Sequence, residues 1–375
     1  MTHRQSGLSG DNGWRPIGLI VAGVACLGFV ASGAVRTANA APLAYVTNSA
    51  SASVSVINTV TKTVLSNISV GLTPEQIAIT PNGARAYVTN SGSNTVSVID
   101  TGGNAVVGSP ISVGSNPVGI AITPNGARAY VTNSGSNTVS VIDTAGNAVV
   151  GSPIPVGSSP AGIAVIPNGA RVYVANFGST TVSVIDTGGN AVVGSPIPVG
   201  SNPVGIAITP NGARAYVTNS GSNTVSVIDT AGNAVVGSPI PVGSSPAGIA
   251  VIPNGARVYV SNFVDNTVSV IDTATNTVIT TIPVGSRPDF LAVSPDGASV
   301  YVPNQGSNTV SVIATATNSV TGSPIAVGTA PTGIAFNHVG APIIPTLSDG
   351  ALLLLFVAMA ATLAVRIAGR SIVDQ

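Results

Sequence analysis

The segment YVTNSGSNTVSVID occupies residues 87–100 and recurs unchanged at residues 130–143 and 216–229. Near-variants of the segment begin at the other four tyrosines of the chain, Tyr45, Tyr173, Tyr259 and Tyr301. The seven starts lie 42 or 43 residues apart. A fixed period of this length is typical of repeat architectures such as propellers and solenoids, so the repeat is the feature that decides the fold.

One repeat, residues 75–114, contains four extended runs. EQIAIT, RAYVTN and TVSVID are rich in β-branched residues, and AVVGSPISVG supplies the fourth run. PNGA, SGSN and TGGN lie between these runs and carry the Pro, Asn and Gly residues that tight turns need. Because no segment has a helical period, each repeat is predicted to form a four-stranded antiparallel sheet.

A single sheet of this kind is too small to be stable alone. Each buried apolar side chain contributes about 1.5–3 kcal/mol, whereas ordering the backbone costs about 1–2 kcal/mol per residue. The sheets therefore need neighbours on both faces, which predicts an all-β fold, a seven-bladed β-propeller of four-stranded antiparallel blades. The first repeat lacks its inner strand, and the final run at residues 331–336 is expected to close the ring by pairing with residues 43–48 of the N-terminal blade. A linear solenoid is the alternative, but the capping repeats that it needs are not visible.

The YVTN phrase with its PNG turn resembles the YVTN family of β-propeller repeats over residues 43–336. The resemblance implies a seven-bladed propeller. Many members of that family are surface proteins of bacteria or archaea, and their activity is mostly unassigned.

The N-terminal segment, residues 1–40, reads as a signal peptide. It has a basic start, an apolar run and the sequence TANA, which predicts cleavage between Ala40 and Ala41 and export by Sec-type machinery. The only cysteine, Cys26, lies inside this segment, so the mature chain has no thiol for a disulfide or for catalysis. Lipidation of Cys26 is the alternative, although Gly23 stands where a lipobox has a bulky aliphatic residue.

The C-terminal segment follows the predicted propeller domain, residues 41–337. A linker at residues 338–350 precedes a short hydrophobic helix and basic tail at residues 351–375. The linker resembles the IPTL-CTERM sorting signal of Gram-negative bacteria at Ile344, Pro345, Thr346, Leu347 and Ser348. The resemblance implies an exosortase-type membrane protease as partner and display at the cell surface or outside the cell, with the helix as a transient or permanent anchor in the inner membrane. A plain tail anchor is the alternative.

Charge is scarce in this chain, since charged residues make up only 6% of it. Residues 41–337 contain seven basic and nine acidic side chains and no basic cluster. This composition excludes nucleic acid as a partner. A neutral exterior rich in hydroxyl and amide groups favours an envelope or matrix polysaccharide or protein instead.

Three repeated side chains have structural interpretations. The tyrosine is expected to pack between blades with its hydroxyl bonded, and the asparagine of YVxN to end its strand and bond the following turn; a stacking platform for sugars or bases is the alternative for the tyrosine. Five repeats carry an arginine two residues before the tyrosine and an aspartate thirteen residues after it, which predicts cross-strand ion pairs rather than a ligand-binding ring. The predicted pairs are Arg85 with Asp100, Arg128 with Asp143, Arg171 with Asp186, Arg214 with Asp229, and Arg257 with Asp272.

Candidate catalytic residues are few because the repeats duplicate one another. Residues 101–186 and 187–272 differ at five positions, so a site made by one copy would be made twice. Unique carboxylates occur at the start of two innermost strands, at Glu75 and Asp289, which are expected to face one end of the central channel, separated by Thr332 and with Arg287 nearby. Metal-dependent propeller lactonases also use carboxylates at that location, but two carboxylates without histidine would hold a metal only weakly.

Two functions remain open from the sequence. Interchangeable, charge-poor blades favour a non-enzymatic, surface-displayed module, structural or binding, with no cofactor. The alternative is a lactonase-like or other hydrolase with a metal site near Glu75 and Asp289.

Overall fold

The computed structural model describes residues 42–337. The predicted signal peptide with its cleavage site at Ala40 and Ala41, the sorting motif at residues 344–348 and the hydrophobic tail lie outside the described residues. Within residues 42–337 the only helical element is the 3-10 turn Ser49–Ser51. No helix in that range is long and apolar enough to cross a membrane.

Seven antiparallel sheets form the blades of a β-propeller, as the sequence predicts. Blade 1 combines residues 43–69 with residues 331–336, and the other blades are residues 74–112, 117–155, 160–198, 203–241, 246–283 and 288–326. From blade 1 to blade 7, the innermost strands are Pro331–Phe336, Pro74–Ile79, Pro117–Ile122, Pro160–Val165, Pro203–Ile208, Pro246–Val251 and Ala292–Val293. The second strands are Leu43–Asn48, Arg85–Asn90, Arg128–Asn133, Arg171–Asn176, Arg214–Asn219, Arg257–Asn262 and Ser299–Asn304. The third strands are Ser53–Asn58, Thr95–Asp100, Thr138–Asp143, Thr181–Asp186, Thr224–Asp229, Thr267–Asp272 and Thr309–Ala314.

The outer strand departs from the sequence prediction in five blades. It is continuous only in blades 1 and 6, at Thr63–Ser69 and Thr277–Pro283. Elsewhere it is split into two strands of two residues each: Ala105–Val106 and Ile111–Ser112, Ala148–Val149 and Ile154–Pro155, Ala191–Val192 and Ile197–Pro198, Ala234–Val235 and Ile240–Pro241, Ser319–Val320 and Ile325–Ala326. The split lies at the GSP sequence, whose glycine has a positive φ (70° at Gly108) and whose proline has no N–H for the ladder.

The ring is closed by the two ends of the described chain, which confirms the prediction. In blade 1 the strand Pro331–Phe336 pairs with Leu43–Asn48, with Ala44 opposite Phe336. The N–H of Leu43 donates to Oδ1 of Asn337 at 2.6 Å, and the N–H of Asn337 donates to the carbonyl of Leu43 at 3.0 Å. The closing strand therefore covers the inner edge that blade 1 would otherwise expose.

The hydrophobic core lies between blades rather than within them. Seven clusters of buried side chains occur, each shared by two neighbouring blades. Tyr45 and Val56 of blade 1, for example, pack with Ile77 and Val88 of blade 2. Because every cluster needs both partners, the blades stabilise one another around the ring.

The repeated tyrosine fastens each blade to the next one, which confirms its packing role. All seven tyrosines are buried. In six blades the hydroxyl donates to an asparagine Oδ1 in the turn after the third strand of the following blade, as Tyr130 does to Asn190 at 2.7 Å. In blade 7 the partner of Tyr301 is the carbonyl of Thr59, at 3.3 Å.

The asparagine of YVxN ends its strand and bonds the following turn as predicted, through its backbone carbonyl, which in Asn90 accepts from the N–H of Ser93 at 3.2 Å. Its side chain is fully buried, and Nδ2 of Asn90 donates to Oγ1 of Thr95 and Oγ of Ser97 on the third strand. A methyl group on Gly71 would lie 2.6 Å from the Asn90 carboxamide carbon. The loop that contains Gly71 therefore packs over the side-chain amide of Asn90, whose Nδ2 faces the third strand.

The threonine of YVTN joins neighbouring inner strands close to the channel axis. The Thr132 hydroxyl accepts from the N–H of Gly119 in its own blade and donates to the carbonyl of Ala161 in the next, both at 2.7 Å. The glycine is required by this close approach, because a methyl group on Gly119 would lie 2.3 Å from that carbonyl oxygen. The inner strands are thus packed nearly backbone to backbone.

Candidate functional site

The candidate site lies at the channel mouth, which we define as the end of the axial channel where the innermost strands begin. The residue that follows the opening proline of these strands is Thr332, Glu75, Val118, Ala161, Val204, Ala247 and Asp289 in blades 1 to 7. Only blades 2 and 7 place a carboxylate there. Blade 1 lies between them, so the two acids flank a single blade, as the sequence predicts.

Thr332 holds the backbone of the site and does not line it. Its side chain is 2% exposed, and its hydroxyl donates to the carbonyl of Glu75 at 2.8 Å. The Thr47 hydroxyl donates to the same carbonyl at 2.6 Å. Two hydroxyl groups from blade 1 therefore fix the position of Glu75 in blade 2.

Glu75 is a partly buried carboxylate with one side-chain donor. Burial raises its pKa above the ordinary value, and the hydrogen bond from Ser91 opposes that rise. The Ser91 hydroxyl donates to Oε1 of Glu75 at 3.1 Å. Ser91 belongs to the turn that follows the second strand of the same blade, so the blade supplies its own partner for the ionised form of Glu75.

Asp289 lies in the least regular inner strand of the ring. In blade 7 the ladder is reduced to Ala292–Val293 and an isolated bridge between Pro288 and Asn304. The cause is two substitutions in the repeat: Phe290 stands where five blades have glycine, and Pro303 stands where YVTN has threonine. The N–H of Asp289 consequently donates to the carbonyl of Pro303 at 2.9 Å.

Asp289 has a strongly perturbed ionisation. Burial raises the pKa of its carboxyl group to about 8, and the negative charge of Glu75 adds to the rise. Asp289 nevertheless keeps partial exposure to solvent. At neutral pH the pair is therefore asymmetric, with the proton retained on Asp289 and with Glu75, stabilised by Ser91, as the group that ionises first.

The floor of the site is formed by the residues that follow the two acids. At this position blades 2 and 7 carry Gln76 and Phe290, whereas the other five blades carry glycine. Both side chains line an axial cavity of about 110 Å³, together with isoleucine and glycine residues of the surrounding inner strands. Nε2 of Gln76 is buried there without a hydrogen-bond partner. It is a hydrogen-bond donor left without a partner in the floor of the site.

Arg287 lies at the rim but does not neutralise the acids. Its guanidinium carbon is 5.9 Å from the centre of the Phe263 ring, in the neighbouring blade 6. Its side chain is exposed and forms no ion pair within the described part of the chain. The same part holds no group of three or more His, Cys, Asp or Glu residues that would bind a metal ion. A metal at this mouth would have the carboxylates of Glu75 and Asp289 as its acidic ligands.

The five predicted Arg–Asp pairs lie on the opposite face, which we define as the end of the ring where the PNG turns lie. The register places arginine opposite aspartate in all five blades. An ion pair is formed in blade 2, by Arg85 and Asp100, and in blade 5, by Arg214 and Asp229. In blades 4 and 6 the arginine donates instead to a carbonyl of the following blade, Thr230 for Arg171 and Thr315 for Arg257.

The remaining blade, blade 3, also has its arginine and aspartate in register without an ion pair between them. The prediction of the register is therefore confirmed, and that of an ion pair is wrong for blades 3, 4 and 6. In blades 4 and 6 the physical reason is that the arginine lies at the blade boundary, where a carbonyl of the following blade competes with the aspartate.

Sequence reasoning missed Gln76, Phe290 and Ser91. Ser91 belongs to the common SGSN turn and gives no signal of its own. Gln76 and Phe290 are visible as the only departures from glycine at their position in the repeat, and they occur directly after the two unusual acids.

Comparison with known proteins gives one family-model match over part of the ring and several similar solved structures. Residues 196–328 match the family model described as "Lactonase, 7-bladed beta-propeller". A Bacteroides uniformis protein provisionally named as a 6-phosphogluconolactonase is similar in structure, with a TM-score of 0.69, 16% identity and coverage of 79% of this chain and 99% of that one. A Bacteroides fragilis protein named in the same way has a TM-score of 0.67 and 16% identity, covering 79% and 98%.

Other similar structures carry different names. Kuenenia stuttgartiensis hydrazine synthase matches with a TM-score of 0.63 and 24% identity, covering 69% of this chain and 88% of that chain. No curated protein matches the chain. At these identities the structural likenesses show the fold.

The comparisons correct one expectation from the sequence. A non-enzymatic structural or binding module was favoured there because the blades are interchangeable. The family model that matches residues 196–328 is that of a lactonase. This match overturns the non-enzymatic interpretation and favours its alternative, a lactonase-like hydrolase.

Proposed function

We propose that this protein is a lactonase-like hydrolase whose reaction takes place at the channel mouth, between Glu75 and Asp289. The observation that carries the proposal is the carboxylate pair itself, which occurs once in a ring of near-duplicate blades and has its two protonation states separated by environment. The match of residues 196–328 to a lactonase family model gives independent support.

The two carboxyl groups suit the two proton transfers of lactone hydrolysis. Glu75, as carboxylate, accepts a proton from a water molecule as the water oxygen attacks the lactone carbonyl carbon. The tetrahedral intermediate then breaks its ring carbon–oxygen bond, and the neutral Asp289 donates a proton to the leaving alkoxide oxygen. The product is a hydroxy acid, and the proton on Glu75 returns to Asp289 through water.

Gln76 and the Ser91 hydroxyl have supporting roles in this scheme. Gln76 directly follows Glu75, the proposed base, in the sequence. Its side-chain amide nitrogen is buried and has no hydrogen-bond partner. It suits the carbonyl oxygen that becomes negative in the intermediate. Ser91 keeps Oε1 of Glu75 oriented at 3.1 Å. A divalent metal on the two carboxylates would polarise the same carbonyl oxygen.

The test is hydrolysis of five- and six-membered lactones by the purified protein, followed with a pH indicator. We expect Glu75→Gln and Asp289→Asn each to lower kcat/KM by about 10²–10⁴-fold, the usual contribution of a positioned acid or base. Asp265→Asn removes an exposed carboxylate on the same face and should leave the rate unchanged. The rate of the unmodified protein should fall above about pH 8, where Asp289 loses its proton. Full activity in both site variants would refute the assignment.

We also propose that the hydrolase is exported and acts at the cell surface or outside the cell. The support is the signal-like segment at residues 1–40 and the likeness of residues 344–348 to an IPTL-CTERM motif, with the Sec-type machinery and an exosortase-type protease as partners. The same proposal assigns the repeats to the YVTN type. It also includes contact between the propeller and an envelope or matrix polysaccharide or protein. Localisation of the chain with and without residues 341–375 tests it, since loss of the tail should release the protein from the cell.

A further inference from the structure

The charged side chains of the described ring are divided unequally between its two faces. The basic side chains of residues 42–337, except Arg287, belong to the opposite face. Lys62 donates there to Oγ1 of Thr321 at 3.2 Å, and the five repeat arginines begin the second strands. The channel mouth carries three acids, Glu75, Asp265 and Asp289.

The distance between the faces keeps the arginines away from the site. Each innermost strand runs from the mouth towards the PNG turn, and the N–H of Thr80 donates to the carbonyl of Arg85 at that far end. Five residues separate Glu75 from Thr80, which corresponds to about 16 Å of extended chain. A ligand at the mouth therefore does not reach the repeat arginines.

Arg287 is the one cation at the mouth among the described residues, and it is turned towards blade 6. Its guanidinium lies over Phe263, and its backbone N–H donates to Oδ1 of Asn266 at 2.8 Å. The residue has a positive φ of 52°, as its counterparts in the other blades do. The backbone thus directs this side chain in the same way as the uncharged residues around the rim.

The rim itself is polar and uncharged over most of its circumference. The counterparts of Arg287 in blades 2 to 6 are Thr73, Asn116, Ser159, Asn202 and Ser245. All are at least partly exposed and offer hydroxyl or amide groups. The floor below them is closed by Gln76 and Phe290, and the cavity of about 110 Å³ is well below the roughly 300 Å³ of a ligand pocket. A substrate is therefore held at the rim, with its substituents against uncharged donors and acceptors.

We infer that the substrate of this site is an uncharged, hydroxylated lactone and not a phosphorylated one, an inference that rests on the proposed function. A phosphate group would meet the carboxylate of Glu75 and the neutral carboxyl group of Asp289 at the centre, the carboxylate of Asp265 at the rim, and no cation free to receive it except Arg287. Sugar hydroxyl groups, in contrast, match the Ser, Thr and Asn side chains of the rim, which donate and accept without a net charge.

The test compares D-glucono-1,5-lactone with its 6-phosphate at pH 7 and low ionic strength. We expect kcat/KM for the neutral lactone to be at least tenfold higher, and the ratio to decrease as salt screens the repulsion. Equal or faster hydrolysis of the 6-phosphate would overturn the inference while leaving the hydrolase proposal intact. Titration calorimetry with the corresponding lactam and with its 6-phosphate distinguishes the outcomes in which neither lactone is hydrolysed. If neither lactone is hydrolysed but the neutral lactam alone binds, the hydrolase proposal fails and the preference stands; if neither lactam binds, both fail.

Two variants at equivalent rim positions sharpen the result. Asn116→Arg places a second guanidinium on blade 3, at a positive φ of 52° that matches the φ of Arg287. It should raise kcat/KM for the 6-phosphate several-fold relative to kcat/KM for the neutral lactone, which loses one of its rim amides in this variant. Arg287→Ala should change neither substrate by more than about twofold. Loss of 6-phosphate hydrolysis in Arg287→Ala would show that this arginine does receive phosphate and would overturn the inference.

Discussion

Replacing Asp289 by asparagine should change how the stability of the propeller depends on pH. The carboxyl group has a pKa of about 8 in the folded protein, against 3.8 for an unperturbed aspartate. Between these two values the folded state binds a proton that the unfolded state has released. The free energy of unfolding must therefore decrease as the pH rises through this window.

The magnitude follows from the width of the window. Each pKa unit corresponds to about 1.36 kcal/mol, so the unmodified protein should lose about 4 kcal/mol between pH 5 and pH 8 through this group. A chain of about 300 ordered residues has an unfolding entropy near 0.6 kcal/mol per degree, which converts the loss to about 6 °C in Tm. Asp289→Asn removes the titrating group and keeps the shape of the side chain. Between pH 5 and pH 8 the Tm of this variant should therefore fall by about 6 °C less than the Tm of the unmodified protein.

The assay is differential scanning calorimetry of both proteins from pH 5 to pH 9. Asp265→Asn is the matched control, because it removes an exposed carboxylate of the same face and should retain the full decrease. Glu75→Gln should move the decrease to lower pH values, since the charge of Glu75 contributes to the raised pKa of Asp289. If the Tm curves of the unmodified protein and Asp289→Asn are parallel over this range, Asp289 is not a buried acid and the site has been misread.

Two further predictions concern the ring. A chain that ends at Val327 lacks the closing strand, exposes the edge of blade 1, and should aggregate or melt at a much lower temperature than a chain that ends at Asn337; equal Tm values would contradict closure by that strand. Tyr130→Phe removes the hydroxyl that donates to Asn190 and should lower the free energy of urea unfolding by about 1 kcal/mol. Tyr301→Phe should lower it less, because the Tyr301 hydroxyl has only a carbonyl partner at 3.3 Å. The reverse order would contradict the role of the tyrosine–asparagine hydrogen bond in joining neighbouring blades.

The repeat predicts most of the fold because it acts at every level at once. Its period sets the number of blades, its turn residues set the strand ends, and the four-residue SGSN turn sets the register that pairs Arg85 with Asp100. The missing first strand of blade 1 predicts closure by Pro331–Phe336. Each of these inferences rests on local chemistry that is repeated seven times.

Side-chain partners across the blade boundary are not predictable in the same way. The hydroxyl of Thr132 bridges Gly119 and Ala161, two residues on different blades. Arg171 turns away from the aspartate in its own register to a carbonyl of the next blade. The sequence of one repeat contains the donors but not the geometry of its neighbour, so these contacts require the assembled ring.

The functional inference from the sequence was wrong for a related reason. Near-identity of residues 101–186 and 187–272 shows that those blades alone do not make a unique site. A propeller, however, has one axial channel that all blades share. Two substitutions in each of blades 2 and 7, at Glu75–Gln76 and at Asp289–Phe290, are sufficient to give that channel one asymmetric end.

The same geometry explains how a duplicated scaffold tolerates such a site. The five glycine-bearing inner strands keep the backbones of neighbouring blades in close contact, and the axial cavity that they surround is only about 110 Å³. The two altered blades differ from the others, since Gln76 leaves a buried amide nitrogen unpartnered and Phe290 lies where the inner ladder of blade 7 is interrupted. Both defects cost stability, and both occur directly beside the two acids whose ionisation is perturbed. Because the ring is closed and each blade is held by two neighbours, the remaining blades offset that cost, and the two altered positions stay where a ligand would meet them.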